Sequence, residues 1–208
     1  MLQQITKFFI VFFVVVDPIS LIPLFAGLTE GASAGYRKAM ASKAAAIALT
    51  ISVLFALVGA RFLNIMGISL SSFRIAGGTL LFLIALDMVF ARASGTRSTT
   101  SEREEAQKRD DISVFPLAFP FIAGPGALAT ILLTAAELDA KPLIFAGFLC
   151  VVTVVVVICW LMMLATPRMM KVFGITGANV MSRLSGVILA ALAVQFIIDG
   201  LRGSFLIG

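Results

Sequence analysis

The residues best placed to do chemistry are two short interruptions in apolar sequence, Val16-Asp17-Pro18-Ile19-Ser20-Leu21 and Ala123-Gly124-Pro125-Gly126-Ala127-Leu128. Asp17 is the only acid near the centre of a long apolar run. A charge at that depth costs at least about 2.5–3.5 kcal/mol on insertion scales. Asp17-Pro18 reads as a helix start: aspartate caps well, and proline suits the first helical position, where no N–H is needed. Gly124-Pro125 makes the same statement without a charge, and Gly126 adds backbone freedom. Free N–H groups at mid-membrane are tolerable only against protein or a polar cavity. Two half-helix N-termini brought together would offer donors and positive dipole ends to a small anionic group such as an amino acid carboxylate. The carbonyls ending the preceding half-helices suit a cation or an ammonium group. Asp17 would then carry a coupling proton or help hold the ammonium. The bland alternatives are a plain cap at Asp17 and prolines that only kink packed helices.

Ser20, Thr130 and Gln195 are further candidates to line the same cavity, with Pro18 and Pro23 shaping the first break. Serine and threonine in membrane helices commonly bond back to their own backbone. Gln195 lies in the apolar run Ile188 to Ile198 and needs a partner in the bundle. Arg74 and Arg183 are read as structural pins that snorkel to the interface or pair with Asp87, Asp199 or helix-end carbonyls. Gly77, Gly78 and Gly186 are read as sites of close helix contact.

Other chemistries are excluded. The chain has no histidine, so histidine proton shuttles and histidine-ligated metals are absent. Cys150 and Cys159 fall on opposite faces of one helix, about 13.5 Å apart along its axis, and cannot bond to each other. Glu104-Glu105-Ala106-Gln107-Lys108-Arg109 spells a pattern of intramembrane prenyl-protein proteases, but it sits in polar sequence and lacks their histidines. No nucleophile and base are paired for an enzyme, and no cofactor, metal or nucleic acid is implied.

The elements that must position these residues follow from composition. Apolar residues make up 60% of 208, about 68% with glycine, against roughly 45–50% for a soluble domain. Ten of the 27 charged residues lie between Arg92 and Asp111, and the other 188 positions share 17. A soluble fold could not cover its surface with so few charges. Crossing the hydrocarbon core takes about 20 apolar residues. Six runs qualify: Ile5 to Leu28, Ala39 to Phe62, Gly67 to Phe90, Ser113 to Ala136, Leu143 to Ala165 and Val180 to Leu201. Residues 1–90 form a first three-helix unit, 91–112 a polar loop in which Glu102 to Asp111 suits a short solvated helix, and 113–208 a second unit. The first run shows no cleavage site and is read as a retained helix. Lys and Arg near the connections divide eleven to five in favour of a cytoplasmic central loop and periplasmic termini.

The halves resemble each other. An offset of 107 residues aligns the two interruptions and sets Glu30 against Glu137. An offset of 109 aligns Arg74-Ile75-Ala76-Gly77 with Arg183-Leu184-Ser185-Gly186. Three spans per half make the second half enter from the opposite side. The expected fold is all-α, a polytopic membrane protein of six helices in a 3+3 inverted repeat, with helices 1 and 4 broken at mid-membrane.

Val16-Asp17-Pro18-Ile19-Ser20-Leu21-Ile22-Pro23-Leu24-Phe25, together with Phe115-Pro116-Leu117-Ala118-Phe119-Pro120-Phe121-Ile122-Ala123-Gly124-Pro125-Gly126-Ala127, resembles the MarC family over essentially the whole chain. The Arg74 and Arg183 quartets fit the same family. The resemblance implies an inner-membrane protein with discontinuous first and fourth helices. It also implies carriage of small neutral amino acids such as glycine and alanine, coupled to a cation gradient, as in SnatA-like members. The Asp17-Pro18 break, Pro23 and the Gly124-Pro125-Gly126 break carry over by position. The implied partners are a small zwitterionic solute, a coupling cation and the bilayer, with self-association left open. The competing reading is a non-transporting membrane component that acts on a partner through the charged central loop.

Overall fold

The computed structural model describes residues 2–90, 111–138 and 142–205. Within them the chain forms α1 (Leu2–Val16), α2 (Leu21–Leu28), α3 (Ala34–Ile65), α4 (Leu70–Phe90), an irregular helical segment α5 (Ser113–Ile122), α6 (Pro125–Leu138) and α7 (Pro142–Phe205). The expected helix at Glu102 to Asp111 lies, but for Asp111, outside the described residues. α1 and α2 together make one span-length unit, Leu2–Leu28; α3 and α4 make two more. α5 and α6 are bent by 56° and make a broken one. α7 comprises two span-length arms, Pro142–Val172 and Asn179–Phe205, about a turn at Gly174. Five units are long and apolar enough to cross a membrane, the bent α5–α6 pair makes a sixth where it counts as one span, and the fold is all-α among the described residues.

Two segments differ from expectation. The fifth span continues helically to Val172 and passes Pro167 without a break; only Gly174, at φ +60°, turns the chain. Glycine reaches that region without the Cβ clash that bars other residues. The fourth span is irregular throughout its first half. Proline clashes with right-handed helical dihedrals in the residue before it. Phe115 and Phe119 accordingly sit at φ −124° and −130°, and both Phe–Pro bonds are cis. The coil between them is wide: Leu117 N–H donates to Ile112 O at 3.3 Å and Ala123 N–H to Ala118 O at 2.8 Å, each five residues back.

Small residues set how the helices meet. Ala41, Ala44, Ala48, Ser52, Ala56 and Gly59 form a buried stripe along α3 at helical spacing. A Cβ on Gly59 would lie 2.8 Å from Leu132 of α6. Leu54, Leu57, Val58 and Phe62 on the other side of α3 are exposed, as residues that face lipid would be. Trp160 donates to Ser42 Oγ at 3.0 Å and ties α7 to α3. Phe8 of α1 packs on Phe148 of α7, ring centres 4.6 Å apart.

α4 and the second arm of α7 run antiparallel in close contact. A Cβ on Gly78 would lie 2.8 Å from Ala193 O and from Ile197; one on Gly186 would lie 3.1 Å from Ala85 O and from Val89. An offset of 108 residues carries one contact onto the other. Gly77 faces α6, where its Cβ would meet Ala129 at 3.0 Å.

Candidate functional site

The first break ends a helix rather than starting one. α1 runs to Val16, and Asp17 N–H still donates to Phe13 O at 3.0 Å. Asp17 then turns left-handed at φ +52°, and helix resumes only at Leu21, with Ser20 in the capping position. This corrects the reading of Asp17 as the N-cap and Pro18 as the first helical residue. Pro18 bars Asp17 from right-handed dihedrals. Aspartate enters the left-handed region more readily than most residues. The turn also satisfies part of its own backbone: Ser20 N–H donates to Asp17 O at 3.2 Å and Ile22 N–H to Ile19 O at 3.1 Å. Pro23 fits within the first turn of α2, where helices tolerate proline.

Asp17 is 2% exposed. Its Oδ2 accepts a very short hydrogen bond from the Ser20 hydroxyl and a long one, 3.4 Å, from the Ser182 hydroxyl. The two serine oxygens lie 2.7 Å apart. Cys159, buried on the first arm of α7, is within electrostatic reach of the carboxylate. Asp17 is thus tied to the second arm of α7 through Ser182. A buried carboxylate held by hydroxyls can exchange a proton or hold a small cation or an ammonium group.

The second break follows the expected pattern. α6 begins at Pro125, and Gly124 O accepts the first intrahelical bond from Leu128 N–H at 2.9 Å. The N–H groups of Gly126 and Ala127 have no intrahelical acceptor in such a helix start. Glycine at 124 is a spatial requirement, since a Cβ there would stand 2.1 Å from Pro120 O. Gly126 differs from expectation: it has no positive φ, and instead admits Leu81 of α4, which a Cβ would meet at 2.6 Å. A void of about 10 Å³ lies at this break, bounded by Gly124, Pro125, Gly126 and Ala127 and by Val15 of α1. That volume holds one water at most. Val15 is two residues before Asp17, so the second break abuts the turn of helix that leads into the first.

A larger cavity, about 290 Å³, opens at the end of the bundle among α1, α4, α6 and α7. Its charged lining is Lys7, Arg74, Glu137 and Asp199, with Thr130 and Thr134 beside them. Arg74 is ion-paired with Glu137, their side chains 20% and 58% exposed. Thr130 is buried and donates to Gly126 O at 2.9 Å. The inner wall of the cavity thus lies about one helical turn from the void at the second break.

The remaining candidates fall elsewhere. Gln195 is exposed and donates to Asp199 of its own helix at 2.9 Å. It lies thirteen residues, about 20 Å along the axis, from Ser182, and so does not reach the Asp17 cluster. Arg74 finds Glu137 rather than Asp87, Asp199 or a helix-end carbonyl. Arg183 is exposed with no ion pair among the described residues. Ser182 was not foreseen, since a serine beside an arginine carries no signal of a partner 165 residues away. Lys7 and Glu137 were visible as charges at span ends, but nothing local said that they share a cavity.

A family model described as MarC family integral membrane protein matches residues 2–205. A UPF0056 membrane protein of Buchnera aphidicola subsp. Acyrthosiphon pisum is 38% identical over 202 residues, covering 96% of this chain and 92% of that protein. The UPF0056 membrane protein YhcE of Escherichia coli is 35% identical over 202 residues, with the same coverage. A UPF0056 membrane protein of Methanocaldococcus jannaschii is 36% identical over 207 residues, covering 99% of both chains. No solved structure matches. With spans, breaks and this similarity in agreement, the chain belongs to the MarC family of integral membrane proteins.

Proposed function

We propose that this protein is a secondary transporter of small neutral amino acids, glycine- or alanine-like, in the bacterial inner membrane, with periplasmic termini and a cation as coupling ion. The observation that carries the reading is the nearness of two unlike helix breaks. One presents a buried carboxylate and two hydroxyls; the other is a helix N-terminus, whose first N–H groups lack an intrahelical acceptor, beside the last turn of α1. A zwitterion needs one pole of each kind. Its carboxylate suits Gly126 and Ala127 N–H at the positive end of α6, and its ammonium suits Asp17. Small, close walls at Gly124, Gly126 and Val15 would limit the side chain to that of glycine or alanine. The void is too small for any such solute, so the described conformation is read as closed at the seat. The cavity lined by Lys7, Arg74, Glu137 and Asp199 would serve as the approach, and the eleven-to-five division of Lys and Arg supports its reading as the outer side. The Gly78 and Gly186 contacts, interchanged by one offset, support an inverted repeat whose halves could rock to alternate access. No catalytic step and no cofactor belong to this reading.

The test is uptake of labelled glycine and alanine by purified protein in proteoliposomes under an imposed proton or sodium gradient. Accumulation that collapses with the matching ionophore is the expected result. Absence of uptake of every small neutral amino acid under both gradients would refute the substrate claim.

A further inference from the structure

We infer that Arg74–Glu137 is one of two alternating ionic gates, that Arg183–Glu30 is the other, and that the protein makes one as it breaks the other. The inference rests on the transport reading above. The offsets of 107 and 109 residues relate Glu30 to Glu137 and Arg74 to Arg183. Only one of the two pairs is formed. Arg74, near the start of α4, bonds Glu137, near the end of α6, at the wall of the 290 Å³ cavity. Glu30 and Arg183 are both exposed, and neither has an ion pair among the described residues.

The pairs belong to opposite ends of the bundle. Ser71 lies against Gly200 and Gly186 against Val89, so α4 and the second arm of α7 run head to tail. The fifteen residues from Arg74 to Val89 span about 22 Å of helix, and Arg183 lies beyond that level. Arg183 is not paired with Glu30 while Ser182 beside it is held at Ser20, ten residues and about 15 Å of helix ahead of Glu30. In this proposal the second pair forms as α2 and the second arm of α7 move along each other. That movement takes the Ser182 hydroxyl away from Asp17, and so links the gate to the charge state of the carboxylate. Partly exposed ion pairs are weak, which suits contacts broken in every cycle.

The test uses the full chain in native membranes with Cys150→Ala, Ala32→Cys and Leu184→Cys, which flank the second pair and leave it intact. Cross-linking yield with a short bismaleimide reads how often those ends meet. Arg74→Gln and Glu137→Gln should each raise the yield about threefold or more, and adding Arg183→Gln should remove the rise. A yield indifferent to both outer substitutions, or a rise that survives Arg183→Gln, would overturn the proposal. Flux is measured in parallel on the chain with native residues at 32, 150 and 184. A shift in yield without amino acid flux retains the gates and removes the transport reading; flux without a shift removes the gates alone.

Discussion

The two breaks solve one backbone problem in opposite ways. At Asp17 the chain ends α1 left-handed, closes short turns on itself and supplies a carboxylate. At Gly124 it begins α6 cleanly at a proline, supplies no polar side chain and leaves the first N–H groups without an intrahelical acceptor. Proline drives both outcomes, but the residue before it decides which one results. Aspartate can turn left-handed and brings an acceptor. Glycine fits under Pro120 O, where no Cβ can. The pair thereby gains a negative pole and a positive one from two local choices, which is what a zwitterion requires.

Gly124→Ala should break the comparison most severely. Its methyl would collide with backbone, and overpacking costs about 1–3 kcal/mol or more. Thermal melting in detergent and uptake should both fall sharply; wild-type behaviour would mean that the close approach to Pro120 is dispensable. Asp17→Asn keeps the shape of the first break and removes its charge. Hydrogen bonds to a charged group are worth about 1.5–3 kcal/mol, so the solute ammonium should be held more weakly, and both exchange and uphill accumulation should drop about tenfold or more. Exchange and accumulation assays on one preparation check both. Ser182→Ala removes one neutral hydroxyl, worth about 0.5–1.5 kcal/mol, and should reduce uptake about two- to tenfold without altering the second break.

The smallest effect lies at Asp111, just ahead of the fourth span. The Lys43 ammonium, then the Ser113 hydroxyl and N–H, hold the Asp111 carboxyl down from 3.8 to about 2. A depressed carboxylate stabilises the fold above its ordinary pKa, and that stability is lost as pH falls through about 4 toward 2. Solvent screening keeps the contribution below about 1 kcal/mol. Melting temperature of Lys43→Ala should therefore match wild type near pH 3 more closely than near pH 6.

The spans and the positions of both breaks were legible because each has a local cause, about 20 apolar residues in one case and an X-Pro step in the other. The extended Phe115 and Phe119 follow from the same X-Pro rule. Applied to Asp17, that rule competes with the capping preference of aspartate, and the steric term won. Ser182, the Arg74–Glu137 pair and the cavity beside Thr130 were illegible, since each depends on chain segments that only the fold brings together. Gln195 shows the reverse: its partner Asp199, four residues on, was available in the sequence.

The most direct measurement is an experimental structure of the protein at saturating alanine. The expected result is alanine between the breaks, its carboxylate on Gly126 and Ala127 N–H and its ammonium toward Asp17. Alanine bound away from both breaks, with α1 and α6 still sealed against each other, would contradict it.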